Sequence, residues 1–162
     1  MAQMDFFLKI EGLLGESIKV HHEKEIEILS WSWGEAQTGG NVSSGGGGAG
    51  KVTMQPFHFT ASVSAASPRL FLACANGQHF RQAVLTAFRP GRTISQPLLT
   101  WKLTDVMVSA YQTGANSTDG LLTETFDLAF SGISVEYSQL KPDGSLAELI
   151  KAGWDLRANK PV

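Results

Sequence analysis

The sequence predicts a mainly β protein: a small antiparallel β-barrel of bent strands, with one short α-helix and a long glycine-rich loop. Three observations carry this prediction. Apolar residues alternate with polar ones along most of the chain, the alternation slips by one residue in each long run, and one segment has the start and stop signals of a helix. A chain of 162 residues has the usual length of one domain, so we expect residues 1–162 to form a single domain.

The first strand is predicted near the N-terminus. Four apolar residues share one parity, Met4, Phe6, Leu8 and Ile10, and the charged residues Asp5 and Lys9 lie between them. This is the period of two that is typical of a half-buried strand. Charges inside the apolar run, and the lack of a basic leader, also make a signal peptide unexpected, which favours synthesis in the cytoplasm.

Four later runs are long and each changes parity once. They are residues 24–33, 52–63, 98–110 and 124–137. A slip of one residue inverts the apolar face, so each run must contain a bulge, a bend or a crossing between layers. Pro56 and Gly132, which suit such places, stand at two of the slips. Bent strands are what a small closed barrel requires; the alternative is separate short strands joined by tight turns.

One segment is predicted to be helical. Ser67 can cap the helix, Pro68 suits its first turn, and Gly77 suits the position just past its end. The apolar stripe expected to lie against the barrel consists of Leu70, Phe71 and Cys74. The sequence does not decide between helix and strand for residues 145–151, because Leu146, Leu149 and Ile150 have helical spacing but lead directly into a strand-like segment.

Residues 36–50 carry no charge and include seven of the 17 glycines, which predicts a loop. Its end, Gly45 to Lys51, matches seven positions of the phosphate-binding consensus, but Val52 stands where Ser or Thr should hold magnesium. A strand is also expected after the motif, where a helix is needed. A soluble nucleotide-binding protein using Gly45–Lys51 is therefore the alternative function.

Composition excludes several other classes. Thirteen basic and 15 acidic residues give a net charge of -2, so neither nucleic acid nor a membrane is an expected partner. A single cysteine, Cys74, forms no disulfide framework and is interpreted as a small core residue. The four histidines have none of the spacings of metal motifs. We expect no catalytic residues, no metal and no cofactor, and hence no enzyme.

Two tryptophans mark a different kind of surface. Trp31 and Trp33 share one strand face, which is interpreted as core, and Ser30 and Ser32 share the other. Small hydroxyl-bearing side chains suit a surface that binds a molecule weakly or lets it pass. A protein without catalytic chemistry, with strand edges and an uncharged loop, is expected to work by assembly.

Five segments form a specific combination: residues 28–34 with Trp31-Ser-Trp33-Gly34, residues 45–52, residues 72–77, Leu122-Thr-Glu124 and Gly153-Trp154-Asp155-Leu156. Together they resemble the haemolysin-coregulated protein family, which forms the tube of the bacterial type VI secretion system. The resemblance covers nearly the whole chain.

The resemblance implies a barrel with an adjoining helix, six copies in a ring, and rings stacked into a hollow tube. It implies as partners the sheath, baseplate and tip proteins and small effectors carried in the lumen, and secretion without a cleaved signal. Ser32, and with it Ser30, is similar to positions that face the lumen. The implied contact loop between rings or subunits comprises Gly39, Gly40, Asn41, Val42, Ser43, Ser44, Gly45, Gly46, Gly47 and Gly48.

Overall fold

The computed structural model describes residues 3–37, 51–89 and 96–162. Within these ranges the chain forms one helix and eleven strands. The helix α1 is Ser67–Asn76, and the strands are β1 (Asp5–Ile10), β2 (Ile26–Ser32), β3 (Glu35–Gln37), β4 (Val52–Met54), β5 (Phe57–Ser62), β6 (His79–Phe88), β7 (Leu99–Ala115), β8 (Leu122–Ala129), β9 (Gly132–Leu140), β10 (Leu146–Asp155) and β11 (Lys160–Pro161).

Six strands close into an antiparallel barrel, which confirms the predicted fold class. They follow the order β7-β6-β1-β2-β5-β8, and β8 pairs again with β7. Strands β9, β10 and β11 extend the same sheet from β7, while β3 and β4 pair only with each other. Closure gives each of the six barrel strands a neighbour on both sides, so among the described strands the unpaired edges lie on the extension and on the β3–β4 ribbon.

The four parity slips have two different causes. In β2 the register against β5 shifts between Ile28 and Ser30, and in β7 Asp105 adopts a left-handed φ of 51°, so these two runs bend as single strands. At Pro56 and Gly132 the chain passes from one strand to the next. The interpretation as short strands joined by turns is therefore correct at those two places, and bending is correct at the other two.

Strand β7 belongs to both parts of the sheet. Residues 99–104 pair with β9, whereas residues 107–115 pair with β8 and complete the barrel. Asp105 lies between these two segments, and its left-handed conformation redirects the strand. Asp tolerates this region better than most residues because its short side chain bonds locally.

Stacked aromatic rings fill the barrel. Phe57, Phe59 and Phe126 are almost completely buried; the centroid of Phe59 lies 5.0 Å from that of Phe57 and 5.2 Å from that of Phe126. Trp31 and Trp33 pack against Phe57 at centroid distances of 5.6 Å and 6.2 Å. The interpretation of both tryptophans as core residues is confirmed.

The helix lies where the sequence predicts it, with two corrections. Gly77 ends it in the left-handed conformation with φ 69°, but the N-cap is Ala66, and Ser67 is already helical. The Ser67 hydroxyl instead accepts a hydrogen bond from the backbone N–H of Ser64 at 2.9 Å. The predicted stripe is also wrong at Phe71, which is 60% exposed.

The buried side of the helix consists of Ser67, Leu70 and Ala73, and Cys74 is partly buried against the core. Cys74 thus packs at the edge of the core and is not one of its fully buried residues. The small residues Ser67 and Ala73 let the helix approach the barrel closely, and a Phe at position 71 points away because the stripe is narrow.

Residues 145–151, for which the sequence does not decide between helix and strand, are mostly strand. Strand β10 pairs with β9 from Leu146 opposite Leu140 to Asp155 opposite Gly132, with a register irregularity between Leu146 and Leu149. That irregularity breaks the alternation and produces the helical spacing of Leu146, Leu149 and Ile150.

The predicted loop at residues 36–50 begins too early, since Ala36 and Gln37 belong to β3.

Candidate functional site

The outward side of β5, of β8 and of β2 from Ser30 onward forms one surface of small polar side chains, which we call the hydroxyl face. It consists of Ser30, Ser32, His58, Thr60, Ser62, Thr123, Thr125 and Asp127. The face exists because residues of the opposite parity on these strands, among them Phe57, Phe59 and Phe126, fill the barrel.

Ser30 and Ser32 are both exposed on this face. Without the register shift after Ile28 they would share the inward parity of Ile26 and Ile28, which are buried. The bulge therefore turns the serines outward and brings Trp31 to the core side. Two rows of side chains cross the strands: Ser32, His58 and Asp127 form one, and Ser30, Thr60 and Thr125 form the other.

His58 and Asp127 form the single ion-pairing unit of the hydroxyl face. The His58 Nδ1 lies 2.5 Å from the Asp127 Oδ1, and the two side chains are 46% and 29% exposed. Since a carboxylate can only accept, Nδ1 carries the proton in this contact. The sequence places His58 outward between two core phenylalanines, but Asp127 is 69 positions away, so no local pattern announces the pair.

The residues predicted as the contact loop, Gly39 to Gly48, lie outside the described residues. The strands that flank them form a separate ribbon in which Glu35 faces Met54 and Gln37 faces Val52. Beside this ribbon is a groove of about 740 Å³ lined by side chains of the ribbon and of the sheet extension. Three indoles line it: Trp33, Trp101 and Trp154.

The structural context does not fit a phosphate-binding loop. The chain after Lys51 enters strand β4, whereas the consensus motif leads into a helix whose N-terminus faces the phosphates. In the described part of the chain, no group of three or more His, Cys, Asp or Glu side chains is placed to hold a metal ion.

A second polar cluster forms around Asp105 at the bend of β7. Its carboxylate accepts hydrogen bonds from Ser131 at 2.8 Å and from the ring of His79 at 3.0 Å, and it pairs with Arg157. The bonds from Ser131 and His79, with the Arg157 charge, lower the pKa of Asp105. His79, which follows Cys74 by five residues in the sequence, is thus hydrogen-bonded to Asp105. This cluster ties β6, β7 and the C-terminal segment together.

Comparison with known proteins decides the family. The family model described as "Type VI secretion system effector, Hcp" matches residues 7–137. The chain belongs to the haemolysin-coregulated protein (Hcp) family of type VI secretion. It is 39% identical over 157 residues to Protein hcp1 of Pseudomonas aeruginosa, covering 96% of this chain and 97% of that protein.

Solved Hcp structures share the whole fold. Hcp1 from Salmonella typhimurium superposes with a TM-score of 0.82 at 34% identity and covers 100% of both chains. A structure described as a type six secretion system protein gives a TM-score of 0.90 at 30% identity, over 99% of this chain and 100% of that one. Hcp proteins are structural components of secretion, so the prediction that this chain is not an enzyme is confirmed. Among the described residues, no helix is long and apolar enough to cross a lipid bilayer.

Proposed function

We propose that this Hcp protein assembles into rings of six copies that stack into the hollow tube of a type VI secretion system. Membership of the Hcp family, matched over residues 7–137, is the observation that carries the proposal. The tube is built from the protein itself and works with sheath, baseplate and tip proteins. It leaves the cytoplasm as part of the projectile and needs no cleaved signal.

The hydroxyl face supports a role as the wall of the lumen. Ser30 and Ser32 are exposed on it, and its other side chains are hydroxyl groups apart from one His–Asp pair. Such a surface offers hydrogen bonds to many cargos without strong charge attraction, so small effectors can be carried and then released. The β3–β4 ribbon supports a role of residues 39–48 in contacts between rings or subunits, because it stands apart from the nine-stranded sheet.

Assembly is tested by light scattering and negative-stain imaging of the purified protein. We expect a ring-sized species several times 17.4 kDa and annular particles with a central opening. A monomer at every concentration would contradict the proposal.

Cargo carriage is tested with Ser32→Gln, which places a longer side chain on the hydroxyl face. The proposal predicts that an effector no longer copurifies while the ring remains, because the face is exposed and its substitution leaves the core intact. Ser62→Gln, at the other end of the face, measures how local the effect is. Unchanged copurification with Ser32→Gln would remove Ser32 from cargo binding.

A further inference from the structure

The charge of the hydroxyl face is concentrated at one point. Within the described strands β2, β5 and β8, the outward residues from Ser30 to Ser32, from His58 to Ser62 and from Thr123 to Asp127 include only two ionisable groups, the His58 ring and the Asp127 carboxylate. The next strand, β7, places the uncharged Ala110 opposite Asp127. A ligand that lies along these positions therefore meets charge at this pair; the exposed Glu27 of β2 lies before the bulge, toward the Ser62 end of the face.

The pair leaves one carboxylate oxygen available. Asp127 Oδ1 is occupied by His58 Nδ1 at 2.5 Å, while Asp127 Oδ2 has no hydrogen-bond partner among the residues that the structure describes, and the side chain is 29% exposed. When the imidazole is neutral, the pair as a whole carries one negative charge. The vacant oxygen then suits a guanidinium or ammonium group, since charge-assisted hydrogen bonds to carboxylates are stronger than neutral ones.

We propose that the His58–Asp127 pair is a specificity-determining site on the hydroxyl face that selects cargo carrying an exposed arginine or lysine side chain. The inference rests on the proposed lumen role of this face. In a ring of six copies the site would recur six times at one level, so a cationic cargo surface could engage several pairs at once.

The test uses the full-length protein, shown to be a ring by light scattering in the same sample. The probes are two fluorescein-labelled pentapeptides, one with a central arginine between serines and glycines and one with citrulline, its uncharged isostere, in that place. Fluorescence anisotropy at low salt is expected to show about three- to five-fold tighter binding of the arginine peptide at about pH 7.5, a size typical of one exposed charge pair.

Two variants locate that preference. Asp127→Asn removes the charge and is expected to abolish the preference. Glu11→Gln is the matched control: Glu11 pairs with Arg81 of β6 at 3.1 Å, and β6 does not pair with any of the three strands of the hydroxyl face, so the same change of net charge there should leave the preference intact. Equal losses in both variants would show an effect of overall charge and would overturn the inference.

Equal binding of the two peptides by the wild-type ring, or no binding of either, overturns the inference but leaves ring assembly untouched. A protein that forms no ring contradicts the proposed function instead.

Discussion

At the scale of single residues, one carboxyl group lies buried inside the barrel with only one of its oxygens hydrogen-bonded among the described residues. Glu124 is 1% exposed; its Oε2 accepts a hydrogen bond from the Tyr111 hydroxyl at 2.8 Å, and its Oε1 has no partner among the described residues. A buried polar group without its partner costs more than the bond contributes. Tyr111 therefore contributes more to the free energy of unfolding than its own burial suggests, because it donates a hydrogen bond to Glu124.

Tyr111→Phe is expected to lower the free energy of unfolding by about 1–3 kcal/mol, because it leaves both oxygens of Glu124 unpaired. Urea denaturation followed by circular dichroism measures the change. Tyr137→Phe is the matched control: Tyr137 is 45% exposed, so its loss should change stability by less than about 0.5 kcal/mol. Equal effects of the two substitutions would contradict this account.

The same pair predicts how stability depends on alkaline pH. Burial, followed by the hydrogen bond and charge of Glu124, raises the pKa of Tyr111. A group whose folded pKa is raised stabilises the protein below its unfolded value of about 10 and loses that contribution as the pH rises through the folded value. Wild-type protein should therefore lose stability above about pH 10 more steeply than Tyr111→Phe, in urea titrations at a series of pH values. Parallel losses would argue against the coupling.

At the scale of the elements, the passage from β8 to β9 depends on a glycine. A Cβ at Gly132 would lie 2.4 Å from the Thr104 Oγ1, where β7 and β9 are paired. Thr104 is branched at Cβ and stiff, so it cannot simply rotate out of the way. Crowding by the Thr104 hydroxyl, and not an unusual backbone angle, therefore favours glycine at this position.

Gly132→Ala is therefore expected to destabilise the protein by about 1–3 kcal/mol through crowding. Thr104→Ala, at an exposed position, should itself have a small effect and should recover most of the loss in the double variant. Thermal unfolding of the four proteins forms a double-mutant cycle. Strict additivity of the two substitutions would show that the glycine is needed for a different reason.

At the scale of the whole molecule, folding and assembly depend on different parts of the chain. The barrel is closed by the pairing of β7 with β8, and the ribbon that flanks residues 39–48 pairs only with itself. Changes in the loop should therefore affect contacts between copies far more than the fold.

Shortening residues 39–48 is expected to leave the barrel folded, since such length changes alter loop-closure costs by only a fraction of a kcal/mol. Stacking of rings should be lost. Circular dichroism reports the fold, and negative-stain imaging of concentrated protein reports stacking. A variant that replaces the same residues with a Gly/Ser segment of equal length separates the effect of length from that of sequence; tubes that still form after shortening would exclude the loop from stacking.

The sequence by itself determined the barrel class, the helix with its Gly77 terminus, the core role of Trp31 and Trp33, and the Hcp resemblance. These follow from local signals: alternation, parity slips, capping residues and motifs. It misplaced the helix cap by one residue and turned Phe71 inward, because a short helix fits more than one stripe.

Only the tertiary structure decided which slips are bends and which are strand ends, that segment 145–151 joins a sheet, and which distant side chains meet. His58 with Asp127, Tyr111 with Glu124, and Asp105 with Arg157 are joined by strand register or by chain return. Register is set by the packing of the whole barrel. No local pattern in the chain carries that information.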